Sequence, residues 1–430
     1  MLDIKQIRQN TQEIEKKLHK RDATINLSGI VELDEKRRAL LFETEELKNK
    51  RNVVSKEIGN LIKQDKDVSK EKDEIRKVSE RIKELDDEIR NVEAELTKQM
   101  LQLPNIPHDS VPVSDNEDDK IIINKWGTKP EFSFTFKNHV ELGKDLDIFD
   151  FDRATKISQP QFALYKGDGA LLEWALIRYM IDFLTGQKGF TLIIPPYLVN
   201  EVTATTSGNL PKFADQLYYS EKDSLYLIPT AEVPLTSMHR DEILSESELP
   251  LYYCAYTACF RREAGTYGKE ERGLIRVHQF NKVEMFKFCT PETSYNELDH
   301  IIKCAEELLM GLGMHFRTAL LVTSDIGQQS AKTCDIEVWL PGQNRYYEVS
   351  SCSNCEDYQA RRGNIRYKAE NAKNTRFVHT LNGSGLATSR LLVSLLETNQ
   401  QPDGSVRIPD VLQVYMGGRD VLIPKKNRKS

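Results

Sequence analysis

Apolar residues at Ile4, Ile7, Ile14 and Leu18 recur at helical spacing, so a short amphipathic helix from Leu2 to Leu18 is expected to open the chain. Beyond Asn26 the period becomes seven. Leu33, Leu40, Leu47, Val54 and Leu61 stand one heptad apart, supported by Ile30 and Ile58 and surrounded by Lys and Glu. After a polar apex at 64–70, Ile75, Val78, Ile82, Leu85, Ile89, Val92 and Leu96 fill both a and d positions of a second helix. Two such helices predict an antiparallel coiled-coil hairpin. Roughly thirty residues per helix at about 1.5 Å rise give an arm on the order of 45 Å. Arg37, Thr44 and Arg51 fall at a positions of the first helix and weaken its seam, either snorkelling outward or leaving room for a partner.

The heptads stop at Leu103, where prolines at 104, 107 and 112 and a run of acids are incompatible with continued helix. The pattern divides the chain into an arm-bearing domain at 1–103, a linker at 104–135 and a larger domain at 136–430. In the larger domain, strands are expected at Phe162–Tyr165, Ser224–Ile228, Tyr252–Phe260, Leu274–Phe288, Arg317–Val322, Ala331–Leu340 and Arg345–Ser350, with helices at Ala170–Thr185 and Pro291–Met310. Strands joined mostly by turns point to an α+β fold with an antiparallel sheet flanked by helices.

Composition narrows the class. At 430 residues the chain has material for two or three domains, and a net charge of −6 confines any nucleic-acid contact to local clusters of Lys and Arg. Seven cysteines without regular spacing favour a reducing compartment. Asp3, Glu13 and Glu15 in a stretch without an apolar core argue against a secretory signal, so the cytoplasm is the expected location. No run is long or apolar enough to span a bilayer, and no membrane partner is expected. Cys352 and Cys355 form a C-x-x-C, read as idle thiols in preference to half a zinc site, and the terminal K-K-N-R-K-S is read as a solvated end.

The chemistry concentrates between Phe260 and Phe288, where charge sits inside apolar alternation. Strands Tyr252–Phe260 and Leu274–Phe288 flank a turn-rich centre at 264–273, predicting a long hairpin. Arg261 and Glu263 lie at its loop-facing end. Arg276, Phe280 and Glu284 have even spacing, which places them on one face of the returning strand. Such a face is costly to bury without a ligand; the alternative is an exposed face carrying surface ion pairs.

The same spacing resembles motif 2 of the class II aminoacyl-tRNA synthetases, carried here by Phe260, Arg261, Glu263, Arg276 and Phe280. Motif 1 is matched by Lys188, Gly189, Phe190, Ile193, Pro196, Tyr197 and Leu198, and motif 3 by Gly383, Gly385 and Arg390, opening a helix at 391–397. With Thr230, Ala231 and Glu232 and the run Glu348, Val349, Ser350, Ser351, the chain resembles the seryl-tRNA synthetases over nearly its whole length. Ala387 and Ser389 depart from the general motif 3 in the manner of seryl enzymes, while Arg262 and Thr266 vary beside motif 2.

The resemblance implies an enzyme that adenylates L-serine with ATP and loads it on serine tRNA, with selenocysteine tRNA as a further candidate, working as a homodimer through motif 1. It assigns the serine site to Thr230, Ala231, Glu232, Arg261, Glu284, Asn382 and Ser384. ATP falls to Arg261, Arg262, Glu263, Val277, Phe280, Glu348, Val349, Ser350, Ser351 and Arg390, with magnesium at Glu348 and Ser351. Arg261 and Arg390 are the implied catalytic pair. The substrate carboxylate is already ionised, so no general base is required. The site has to align two anions and stabilise charge on phosphate. The rival readings are a ligase that loads a small amino acid on a carrier protein, and a non-enzymatic coiled-coil scaffold.

Overall fold

Thirty-four residues from Ser69 to Gln102 form one helix because an apolar residue returns to the same face every three or four positions: Val78, Ile82, Leu85, Ile89, Val92, Leu96 and Met100 are all buried. Its partner runs from Ser28 to Ile62 and buries Ile30, Leu40 and Val54 against it. The computed structural model describes residues 1–264 and 273–427 and contains two units, Met1–Pro104 and Asn105–Ser430. Thr266, most of the expected 264–273 turn and the last three residues of the tail lie outside the described residues.

In the first unit, helices α1 (Ile4–Gln9) and α2 (Thr11–Leu18) replace the single expected helix, because Asn10 takes φ −135°, outside helical space. The long helices are α3 (Ser28–Ile62) and α4 (Ser69–Gln102). The weak seam of α3 is satisfied internally. The Thr44 hydroxyl donates to the Leu40 carbonyl at 2.8 Å, and Arg37 leans out to Glu93 on α4 at 2.8 Å. Asp34 is buried and holds Arg8 at 2.8 Å and Arg38 at 3.1 Å.

The second unit is built on an eight-stranded sheet: β1 (Ile121–Trp126), β2 (Thr191–Ile193), β3 (Leu251–Phe260), β4 (Gln279–Cys289), β5 (Phe316–Leu320), β6 (Lys332–Leu340), β7 (Arg345–Asn354) and β8 (His379–Ala387). The spatial order is β1-β5-β6-β7-β8-β4-β3-β2. Neighbours are antiparallel except β2 and β3, which run parallel. Three helices, α5 (Asp168–Gln187), α6 (Ser294–Gly311) and α7 (Thr388–Thr398), contribute Leu176, Ile301 and Leu392 to the main core. Val283 and Met285 of β4 and Ile336 of β6 join them there.

Three further expectations change. The segment 104–135, expected to be a linker, supplies β1, whose backbone pairs with β5 at the sheet edge. Phe162–Tyr165 forms only an isolated bridge between Tyr165 and Phe149. The returning strand begins at Gln279, not Leu274, so Arg276 is not on it. Gly273 at φ +70° turns the chain there, and the His278 N–H donates to the Gln161 carbonyl, outside the ladder. The polar face that period two produces is therefore Phe280, Lys282 and Glu284, while Val283 and Met285 enter the core. No helix among the described residues is long and apolar enough to cross a membrane.

Candidate active site

The face of β4 opposite the core looks onto two adjoining cavities, of about 440 Å³ and 820 Å³ including space open to solvent, the size range of small-molecule sites. Arg261, Lys282, Glu348 and Ser384 line both. The first is completed by Glu263, Arg276, Val277, Phe280 and Arg390. The second is more acidic and holds Thr230, Glu232, Glu284, Asp335, Ser351 and Asn382.

Arg261 follows directly on β3. Its N–H donates to the His278 carbonyl at 2.9 Å, which fixes the backbone across the mouth of the hairpin. Its Nε donates to the Pro229 carbonyl at 3.3 Å, and the guanidinium lies 5.2 Å from the Phe280 ring centroid. Among the described residues no carboxylate pairs with it. The other cations of the site are paired. Arg276 donates to Glu263 at 3.0 Å, and Glu263 sits at φ +50°, so turning the chain brings the two together across the loop. Arg390, in the first turn of α7, donates through Nε to the Ile275 carbonyl at 3.1 Å and through Nη1 to the Glu348 carbonyl and carboxylate at 3.0 and 3.2 Å.

In the acidic cavity, Thr230 donates its hydroxyl to Glu284 at 2.9 Å, and Lys282 forms an ion pair with the same carboxylate. Both members of that pair are buried, at 6% and 2% exposure. Glu232 accepts from Gln359 at 2.7 Å and from Gln329 at 3.2 Å. Burial, and then the charge of Glu284, push its pKa up to about 7 against the pull of those two amides. Asp335 is hydrogen-bonded to Ser351, and burial together with the charge of Glu348 raises its pKa well above the usual carboxylate range. Its Oδ1 is buried without a partner among the described residues.

Most of the residues assigned by resemblance thus meet at one place, and four do not line it. Arg262 turns to the Tyr218 ring at 5.9 Å. Ala231 packs in a core with Phe286, Val349 packs in the main core, and the Ser350 hydroxyl donates to the Ser384 carbonyl at 2.6 Å. Strand alternation explains Val349, which follows the cavity-facing Glu348, and the bulge at Val349, where the register with β6 shifts between Ile336 and Glu337, resets the phase so that Ser351 and not Ser350 returns to the cavity. Lys282, Gln359, Gln329 and Asp335 were missed. Period two on β4 could have found Lys282, which stands midway between Phe280 and Glu284. All seven cysteines, Cys352 and Cys355 included, are free and buried, and burial holds both of these thiols well above their ordinary value.

Comparison with known proteins gives concordant results. Residues 1–107 match the seryl-tRNA synthetase N-terminal domain, and residues 214–399 match the tRNA synthetase class II core domain (G, H, P, S and T). The serine–tRNA ligase of Syntrophobacter fumaroxidans is 51% identical over 97% of this chain and 99% of its own. The crystal structure of seryl-tRNA synthetase from Pyrococcus horikoshii complexed with ATP superposes with a TM-score of 0.91 at 40% identity, covering 99% of this chain and 100% of that one. The cytoplasmic serine–tRNA ligase of Naegleria fowleri in complex with AMP gives 0.87 at 32% identity, covering 99% of each chain. With half of its residues identical to such a relative over nearly its full length, and the arginine, carboxylate and lysine groups of the cavities in one place, the chain belongs to the seryl-tRNA synthetase family of class II aminoacyl-tRNA synthetases.

Proposed function

We propose that the two cavities are the ATP and serine subsites of one reaction centre, with Arg261 at their junction. As a member of its family the chain is a serine–tRNA ligase: it activates L-serine with ATP to seryl-adenylate and pyrophosphate, then transfers serine to the 3′ end of serine tRNA. The observation that supports the site assignment is that Arg261 borders both cavities and has no carboxylate partner among the described residues. A planar guanidinium there can bridge the serine carboxylate and the α-phosphate, holding the attacking oxygen in line with the P–O bond that breaks as pyrophosphate leaves. Phe280 stacks on adenine, Glu263 and the Val277 backbone meet its edge, and Arg390 takes the γ-phosphate. That the Pyrococcus relative holds ATP and the Naegleria relative AMP supports a nucleotide at this site.

Glu284, Glu232 and Thr230 receive the serine ammonium and hydroxyl, with Asn382 and Ser384 beside them. Alanine leaves those polar groups unpaired, which is how a buried site rejects a substrate lacking one hydroxyl. Magnesium fits as a guest of ATP. Among the described residues no cluster of three or more metal-binding side chains exists, yet Glu348, Ser351 and the unpartnered Asp335 oxygen supply hard oxygen donors along one wall. Glu348 and Ser351 would hold the cation, which would supply charge neutralisation for the phosphates.

Residues 1–103 are proposed as the tRNA-binding domain and 136–430 as the catalytic one, with selenocysteine tRNA as a second RNA substrate. A homodimer is proposed through the motif 1 region, where Leu171, Trp174, Leu192, Ile194, Leu198 and Val202 are exposed apolar side chains. The free thiols favour the cytoplasm. The deciding assays are serine-dependent ATP–pyrophosphate exchange and aminoacylation of purified tRNAs. Arg390→Ala removes a charge-assisted contact worth about 1.5 to 3 kcal/mol and is expected to lower exchange at limiting ATP by roughly 10- to 150-fold. A folded variant with the exchange kinetics of the parent refutes the phosphate role.

A further inference from the structure

A buried chain of hydrogen bonds leads to the ATP subsite from a residue outside the three motifs. Glu397 ends the motif 3 helix and is fully buried. Its Oε2 accepts from the Gly342 N–H at 2.8 Å, and its Oε1 accepts from the backbone N–H of His139 at 2.9 Å and from the imidazole Nδ1 at 3.0 Å. With Nδ1–H spent on the carboxylate, Nε2 is left with its lone pair. It accepts the Leu274 N–H at 3.3 Å. The fit is tight: a Cβ on Gly273, which has φ +70°, would lie 2.2 Å from that nitrogen. One residue further, the Ile275 carbonyl accepts from Arg390. Arg390 and Glu397 are seven positions apart, hence on one face of the same helix.

We infer that His139 is a positioning residue for ATP binding. Through His139 and Arg390 the motif 3 helix grips residues 274 and 275, and Ile275, Arg276 and Val277 are the wall of the nucleotide cavity. A glycine at 273 is required so that the imidazole can reach the backbone. The inference rests on the proposed ATP subsite and adds a residue to it that lies 135 positions away in the chain from the amide it holds.

The test is serine-dependent ATP–pyrophosphate exchange by the full chain and its His139 variants, with KM for ATP and for serine measured separately. His139→Asn keeps a donor for Glu397 and removes the acceptor for Leu274. KM for ATP is expected to rise about 3- to 10-fold, the change for one neutral hydrogen bond, while KM for serine and kcat stay within about twofold. His139→Gln places an acceptor near the Nε2 position and is expected to recover most of the ATP affinity. A variant whose two KM values move together, or whose active fraction alone falls, overturns the inference in favour of a merely structural histidine. Should His139→Asn fail to fold, deuterium exchange at the Leu274 amide of the ATP-free parent decides. Protection supports the hold, and exchange at the rate of an open amide refutes it. A parent chain with no serine-dependent exchange at all refutes the functional reading itself, and the inference falls with it.

Discussion

Glu173 lies in the second turn of α5, 3% exposed, where the motif 2 strand β4 meets the start of the motif 3 helix. Its Oε1 accepts from the Thr388 hydroxyl at 2.5 Å, at the start of the motif 3 helix, and from the Asn281 amide at 2.8 Å, between Phe280 and Lys282. Its Oε2 is buried without a partner among the described residues. Burial outweighs the two hydrogen bonds and lifts its pKa from 4.5 to about 7. The folded state therefore binds a proton that the unfolded chain releases between those two values. The resulting stability is fully present below pH 4.5 and is lost as pH rises through 7. A shift of this size corresponds to about 3 kcal/mol by linkage.

Glu173→Gln preserves the shape and the acceptor while abolishing the charge. Its urea midpoint is expected to match that of the parent near pH 4.5 and to exceed it progressively up to pH 8, where the gap reaches about 3 kcal/mol. Tryptophan fluorescence isolates the relevant unit, because Trp126, Trp174 and Trp339 all lie beyond residue 104. Glu232 carries a similar shift, but it is common to both proteins and cancels in the difference. Curves that run parallel from pH 4.5 to 8 refute the buried, ionising carboxylate.

Lys282→Met leaves Glu284 buried without a counter-ion, held by the Thr230 hydroxyl alone among the described contacts; the serine-free protein is expected to lose about 3 to 5 kcal/mol, and serine to raise the denaturation midpoint more than in the parent. An unchanged midpoint counts against the pair. Ile194 is 79% exposed and Trp174 58%, so Ile194→Asp is expected to shift the sedimentation of the proposed dimer to that of a monomer, and an unaltered profile places any dimer contact elsewhere. Replacing Leu33–Leu96 by a short Gly-Ser connection is expected to leave serine-dependent pyrophosphate exchange nearly intact and to reduce tRNA charging sharply, since the α3–α4 seam closes on itself and leaves its charged faces open to the proposed contact with RNA shape and phosphate. Full charging by the shortened chain moves tRNA selection out of the arm.

The parts of the fold that were legible in the sequence are those set by a local period. The α4 seam follows its heptads from Val78 to Leu96 without a break. The polar and core faces of β4 alternate as period two requires once its start is known, but that start was hidden: Ile275 and Val277 continue the apolar alternation of Val283 and Met285, and only the Gly273 turn and the outward hydrogen bond of His278 end it. In β1, the run Ile121 to Ile123 is a strong strand signal obscured by the prolines and acids before it. Long-range partners carry no local signal. Gln359 and Gln329 reach Glu232 from 127 and 97 residues away, and nothing in the spacing of either glutamine distinguishes it from a surface residue.

The pairing of charges inside the cavities follows from the same constraint. A lysine and two arginines face the cavities, and leaving a charge there without a counter-ion is costly in proportion to its burial, most of all for Lys282. The protein satisfies them internally, with Lys282 on Glu284, Arg276 on Glu263 and Arg390 on Glu348. On the proposed assignment each pair opens toward a substrate. When Arg390 turns to a phosphate, Glu348 would be free to hold a hard cation, and a serine ammonium at Glu284 would release Lys282, which lines both cavities. The pairs hold these side chains along the cavity walls before a substrate arrives, and groups placed in advance lower the reorganisation required at the moment of reaction. Arg261 stands apart from this exchange. Among the described residues its guanidinium is held by the Pro229 carbonyl and the Phe280 ring and meets no carboxylate, which on the proposed assignment leaves it available at the junction of the two subsites, where an internal counter-ion would compete with both substrates.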